Sequence, residues 1–216
     1  MISDVGVLGR DACAVGRETV YRLVVCDSSR FEEYHQKAFE FLGVEFPVDY
    51  YKRSVTLTLI DQLGDMWGGA IIALEPEFRS LLSIPNQTSG YSQGLEPMSS
   101  VAEINGVWLA PGVKSPILPV TFWRQLINFL LTLDKDRFLF TFDLSNKTMR
   151  KITSWLRYDV LYSGPTHQLP GMKQPSCETI AVLHRDSFAA MNDTLNRFEG
   201  SAVPVYDDPI AKPAPR

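Results

Sequence analysis

The chain has 216 residues, 45% hydrophobic and 21% charged, with a formal net charge of −4. That is enough material for one domain with a full core. It offers no basic block for a nucleic acid and no run approaching the ~18 apolar residues of a membrane span. Cys13, Cys26 and Cys177 are an odd set without metal-ligand spacing, so they read as reduced thiols and no metal site is expected. Residues 1–18 lack the basic start and apolar run of a secretory signal, which predicts a cytoplasmic protein.

Residues 19–26, TVYRLVVC, are rich in β-branched and aromatic side chains and predict a strand. Ser29 and Glu32 form a capping-box pattern opening a helix to about Leu42, and Gly43 stops it. Residues 44–52 show no clean period, and Pro47 argues for a loop. Residues 54–74 read as a β-hairpin around the turn DQLGD. In its second strand Gly68 and Gly69 predict a bulge or a close approach of another group. Pro76 can start a short helix containing Phe78, Leu81 and Leu82, and residues 86–100 read as a polar surface loop.

A strand over about 100–109 follows, its alternation placing Glu103, Asn105 and Val107 on one side and Ala102, Ile104, Gly106 and Trp108 on the other. Next come a helix over about 120–133 and the apolar strand RFLFTF over 137–142. A further helix is capped by Ser145 or Asn146. Two more strands span about 160–163 and 178–183, and Asp186 caps a last helix. Residues 1–200 are expected to form one domain, and 201–216 a flexible proline-rich tail. The element order predicts an α/β (α+β) domain with a mixed central sheet flanked by helices on both faces. Neither GxGxxG nor GxxxxGK[ST] occurs, so a Rossmann or P-loop nucleotide site is not expected.

Four stretches, YHQKAFEFLGVEF, GDMWGGAIIALEPEFRSLL, VAEINGVWLAP and LFTFDLSNKTMRKITSWLRYDVLYSGP, carry a resemblance that spans about residues 19–188. Together they resemble the GCN5-related N-acetyltransferase superfamily. Within it the chain looks most like the acyl-homoserine-lactone (autoinducer) synthases and the long-chain N-acyl amino acid synthases. The resemblance implies an acyltransferase that moves an acyl group from a thioester to the amine of an amino acid or biosynthetic intermediate. It implies no tightly bound cofactor, and acyl-carrier-protein thioester or acyl-CoA as co-substrate.

The departures refine that expectation. The usual basic, glycine-rich loop after the central strand is replaced by PGVKSPILP, whose prolines supply no N–H to cradle a pyrophosphate. The same loss is typical of the relatives that take acyl chains from an acyl carrier protein, so the resemblance implies a carrier-protein thioester in preference to free coenzyme A. Ile71 and Gly106 stand where the lactone synthases place arginines. Neither can make a bidentate fork, so S-adenosylmethionine is not the expected acceptor.

Glu103 is the candidate general base, directly or through water; the bland alternative is a strand glutamate paired with a cation. Asn105, on the same side, is a candidate acceptor ligand or a wet-face polar residue. Trp108, Trp67, Glu45 and Asp49 complete the candidate substrate side. The main chain of Val107 and Leu109 is a candidate donor-carbonyl site by resemblance. Lys114, Arg124 and Asn146 are candidate donor-binding residues, although surface charge and N-capping account for them equally. By resemblance Tyr158 is the candidate acid; a core or edge tyrosine is the alternative. A second reading is a catalytically degenerate relative that binds an acylated ligand or a protein partner.

Overall fold

The computed structural model describes residues 19–85, 94–110, 117–143 and 157–198. Lys114, Asn146, Cys13, the helix expected after Ser145 and the C-terminal tail lie outside the described residues. The elements in chain order are β1 (Arg22–Val25), α1 (Phe31–Leu42), α2 (Val48–Lys52), β2 (Ser54–Ile60), β3 (Met66–Ala73), α3 (Arg79–Leu82), β4 (Val101–Leu109), α4 (Ile117–Thr132), β5 (Arg137–Phe142), β6 (Tyr158–Pro165), β7 (Cys177–His184) and α5 (Arg185–Phe198). They build a seven-stranded mixed sheet in the order β1-β2-β3-β4-β5-β7-β6. Among the described residues only β4 and β5 pair in parallel; the other neighbours are antiparallel. A parallel pair needs a crossover, and α4 supplies it.

Two cores sandwich the sheet. On one face α4 and α5 bury Phe122, Leu126, Leu130 and Phe188 against Leu57, Ile104 and Phe138. On the other, α1, α2 and the α3 region bury Tyr34, Tyr50, Tyr51 and Phe78 against Ile71, Val101, Leu139 and Ile180. Covering both faces explains why Phe138, Leu139 and Phe140 are apolar in succession instead of alternating with polar residues.

Three local expectations are corrected. Pro47 does not break the segment after it; it stands just before Val48–Lys52, where a missing N–H costs nothing, and α2 forms. Ser29 does not cap α1: Asp27 accepts from Ser29 N and Oγ at 2.8 and 2.6 Å, and a 3₁₀ turn precedes the helix. The alternation along β4 slips by one residue. Register with β3 runs Ile71↔Asn105 and then Gly69↔Trp108, so β4 carries an extra residue there. Gly106 provides the bulge with φ +55°. Val107 consequently packs on the α4 face, and Trp108 on the Glu103 face, the reverse of the expected alternation. Gly68 and Gly69 do mark a close approach: a Cβ on Gly69 would lie 2.5 Å from Tyr34 Cε2 and 2.8 Å from Trp108 Nε1.

The bulge coincides with a parting of strands. β4 and β5 pair over Val101↔Arg137 to Ile104↔Phe140, and no described pairing continues beyond. Asn105–Leu109 and Thr141–Phe142 thus border a wedge between the two strands.

Candidate functional site

At the foot of that wedge lies Glu103, opposite Ala73 of β3 and Leu139 of β5. Its side chain has no exposed surface. A buried carboxylate is costly unless its oxygens are hydrogen-bonded, and four donors meet it. Tyr50 Oη donates to Oε2 at 2.6 Å and Arg79 N at 3.0 Å. Ser80 N and Ser80 Oγ both donate to Oε1 at 2.5 Å. The two main-chain donors open α3, whose N-cap position is Phe78 and has no capping side chain of its own. Glu103 therefore caps that helix from a distant strand. Thr141, the first β5 residue beyond the paired stretch, donates to Ser80 Oγ at 2.9 Å.

Beside the carboxylate is a cavity of about 300 Å³, lined by Asp49, Tyr50, Arg53, Glu77, Arg79 and Pro170 among others. Arg79 is buried. Its guanidinium lies 5.2 Å from the Phe46 ring centroid and 5.6 Å from that of Tyr50, and donates to Pro170 O at 3.0 Å. Burial lowers the Arg79 pKa, opposed by Tyr50 and Glu103. Arg53 also stacks on Tyr50, 5.5 Å from its centroid, while its fork holds Glu77 Oε2 at 2.6 Å and Glu77 O at 3.0 Å. Glu77 adopts φ +74°, a left-handed conformation that costs a non-glycine residue energy, and the Arg53 clasp helps hold it there. Burial, and next the negative Glu103, push the Tyr50 phenol well above its ordinary pKa; a hydrogen bond from Asn105 acts in the opposite direction. The phenol stays protonated at neutral pH.

The sequence-derived candidates divide by position. Glu103 and Asn105 converge on Tyr50. Asp49 is on the cavity rim, exposed and 3.4 Å from Lys52. Glu45 is exposed and 3.9 Å from His35. Trp108 is buried, stacked on Phe41 at 5.1 Å and edge-on to Tyr34, which makes it a core residue on the Glu103 face. Trp67 packs on the opposite face, with Nε1 donating to Asp61 at 2.9 Å. Arg124 is on α4, also on that opposite face, and partial burial lowers its pKa. Val107 and Leu109 turn their side chains to the α4 face and leave main chain along the wedge.

Tyr158 is not near Glu103. It is on β6, three strands from β4, packed edge-on against Phe142. There it borders a second cavity of about 720 Å³ with Asp159, His184 and Ser187. That cavity is larger, but none of the residues around Glu103 lines it.

The sequence alone does not single out Arg79, Ser80, Thr141 or Tyr50, the last of which falls in the stretch expected to be a loop. The short helix starts at Arg79 and not at Pro76 as expected, so Phe78 is its N-cap and its first amides need an acceptor from elsewhere in the chain.

No protein-family model matches the chain, and no curated protein matches it. Solved structures do. FeeM, an N-acyl amino acid synthase from uncultured soil microbes, is 13% identical over 86% of this chain and 99% of that one, with a TM-score of 0.58. MesI, a CoA-dependent acyl-homoserine lactone synthase, is 15% identical over 87% and 100%, at 0.56. A spermidine N-acetyltransferase from Vibrio cholerae, solved with CoA and spermine, is 7% identical over 78% and 98%, at 0.52. At such identities the likeness is one of architecture, and the fold is that of the GCN5-related N-acetyltransferases. The mixed seven-stranded sheet with its flanking helices is what this chain shares with them.

Proposed function

We propose that the protein is an N-acyltransferase. It moves an acyl group from a thioester, with an acyl carrier protein as the preferred source over coenzyme A, to the amine of an amino acid or biosynthetic intermediate. The observation that carries this reading is the caged Glu103 at the point where β4 and β5 part, next to a cavity lined by two acidic and two basic side chains. The wedge suits a thioester arm, and the cavity suits a small polar amine. The structural neighbours fit a thioester donor: MesI is CoA-dependent, and the spermidine N-acetyltransferase was solved with CoA and a polyamine.

Ile71 has no exposed surface, and a Cβ on Gly106 would meet its Cδ1 at 2.8 Å. Arginines at these two positions would not fit this packing, which supports an acceptor other than S-adenosylmethionine.

The second reading, a binding protein without turnover, draws on one observation: protein donors already occupy both oxygens of Glu103. Purified protein incubated with acyl-carrier-protein and acyl-CoA donors of graded chain length and a pool of amines discriminates the two. Mass spectrometry should find a new acyl amide, formed faster from the carrier-protein donor. Donor binding by calorimetry with no amide from any combination would leave only the second reading.

A further inference from the structure

Glu103 cannot meet an amine directly, because its surface is wholly covered. Of the four groups donating to it, two are main-chain amides, which do not exchange a proton during turnover. The other two are hydroxyls, from Tyr50 and Ser80. Of these, only Tyr50 lines the 300 Å³ cavity. Its oxygen gives its proton to the carboxylate and accepts from Asn105 on one lone pair, which leaves the other to accept from a ligand. Ser80 Oγ instead accepts from Thr141 while it donates to Glu103, and so fixes the carboxylate.

Resting on the acyltransferase reading above, we propose that Tyr50 takes the acceptor's proton and relays its own to Glu103. The acceptor enters as an ammonium ion. One N–H bond breaks, its electron pair stays on nitrogen, and the proton joins Tyr50 Oη as the phenolic proton moves to Glu103 Oε2. The outcome is a neutral amine, an unchanged phenol and a protonated Glu103, with no phenolate formed at any stage. This suits a phenol that burial and the adjacent carboxylate hold protonated.

The amine then attacks the thioester carbonyl carbon, and the tetrahedral adduct breaks its C–S bond. Nitrogen and sulfur share that carbon, so the same phenol serves both. Tyr50 gives its proton to the departing sulfur, and Glu103 reprotonates Tyr50. The second nitrogen proton passes to water as the amide forms. The balance is one ammonium and one thioester giving one amide, one thiol and one proton.

The test is the pH dependence of kcat for wild type, Tyr50→Phe and Ser80→Ala, read as amide formed from an acyl thioester and the accepted amine. For Tyr50→Phe we expect a loss of about 10²–10⁴-fold at pH 7, with the donor KM unchanged. The deficit should shrink about tenfold per pH unit toward the amine's own pKa, where solvent supplies the free base. Ser80→Ala, which loosens the same carboxylate off the cavity, should lower kcat by one factor at every pH.

A Tyr50→Phe enzyme within threefold of wild type overturns the relay and leaves the acyltransferase reading intact. So does a loss that is equal at all pH values. Absence of product from wild type removes both. If Tyr50→Phe does not fold, a proton inventory on wild type decides: two protons in flight give a bowed dependence on deuterium fraction, and a straight line sinks the relay.

Discussion

A carboxylate with no exposed surface is held in place by its donors, and the donors depend on it in turn. Replacing Glu103 by Ala would strand Tyr50 Oη, Ser80 Oγ and the Arg79 and Ser80 amides in the core. We expect a loss of about 3–5 kcal/mol, read as a lower urea midpoint. Gln keeps an acceptor oxygen and should lose less. The thiols give an independent check of burial. Cys26 is buried, and desolvation pushes its pKa up to about 11, whereas Cys177 is exposed. Iodoacetamide at pH 8 should modify Cys177 in the native protein and reach Cys26 only after unfolding; early labelling of Cys26 would contradict the packing. How much of this was legible in the sequence follows from sequence distance. Period-two alternation put Glu103 and Asn105 on one face correctly, because alternation is a local property of a strand. The partners Tyr50 and Ser80 are 53 and 23 residues away, and no local pattern joins them. Tyr158 was carried over by resemblance alone, and strand order separates it from Glu103.

Most element boundaries were legible because periodicity and turn chemistry act within a few residues. β5 begins and ends where the apolar run does, and β2 and β3 flank the expected turn. The failures occurred where one residue has two meanings. Proline ends a regular element in its interior but suits its start, as before α2. Glycine breaks a strand or bulges it, as Gly106 does, and the bulge reversed the facing of Val107 and Trp108. The C-terminal end of α4 shows how elements are fastened together. Arg185, at the start of α5, donates to Leu131 O, to Leu133 O at 2.5 Å and to Lys135 O at 3.1 Å. Those carbonyls have no further helix to pair with, and a guanidinium there also complements the helix dipole. Arg185→Ala should cost about 1.5–3 kcal/mol in urea unfolding. Arg185→Lys should recover only part of it, since one ammonium cannot span three carbonyls. Full stability in the alanine variant would mean that the clamp is not needed.

At the scale of the molecule, the two faces of the sheet differ in chemistry. The α4–α5 face is nearly all hydrocarbon, whereas the face behind Glu103 buries the phenols of Tyr34, Tyr50 and Tyr51. Desolvation raises all three pKa values, that of Tyr51 to about 12 and those of Tyr34 and Tyr50 well above the ordinary phenol range. The consequence for stability has a definite sign. In the unfolded chain these phenols ionise near pH 10, while the folded chain keeps its protons. Above pH 10 the native state therefore binds more protons, and stability falls as pH rises. Below pH 10 both states are protonated, and the contribution is fully present. For Tyr34 and Tyr50 together the slope is about −3 kcal/mol per pH unit. Cys26, raised from about 9 to about 11, contributes with the same sign between those two pH values. Urea midpoints should thus drop steeply between pH 10 and 12. Among the described residues Tyr34 Oη is buried without a well-formed hydrogen bond, its one polar contact being a loose one with Trp108, so Tyr34→Phe removes a poorly satisfied hydroxyl. At pH 7 that variant should match or exceed wild type by about 1 kcal/mol. Between pH 10 and 12 it should lose roughly half the two-phenol slope, and an unchanged slope would show that Tyr34 is not the group holding its proton.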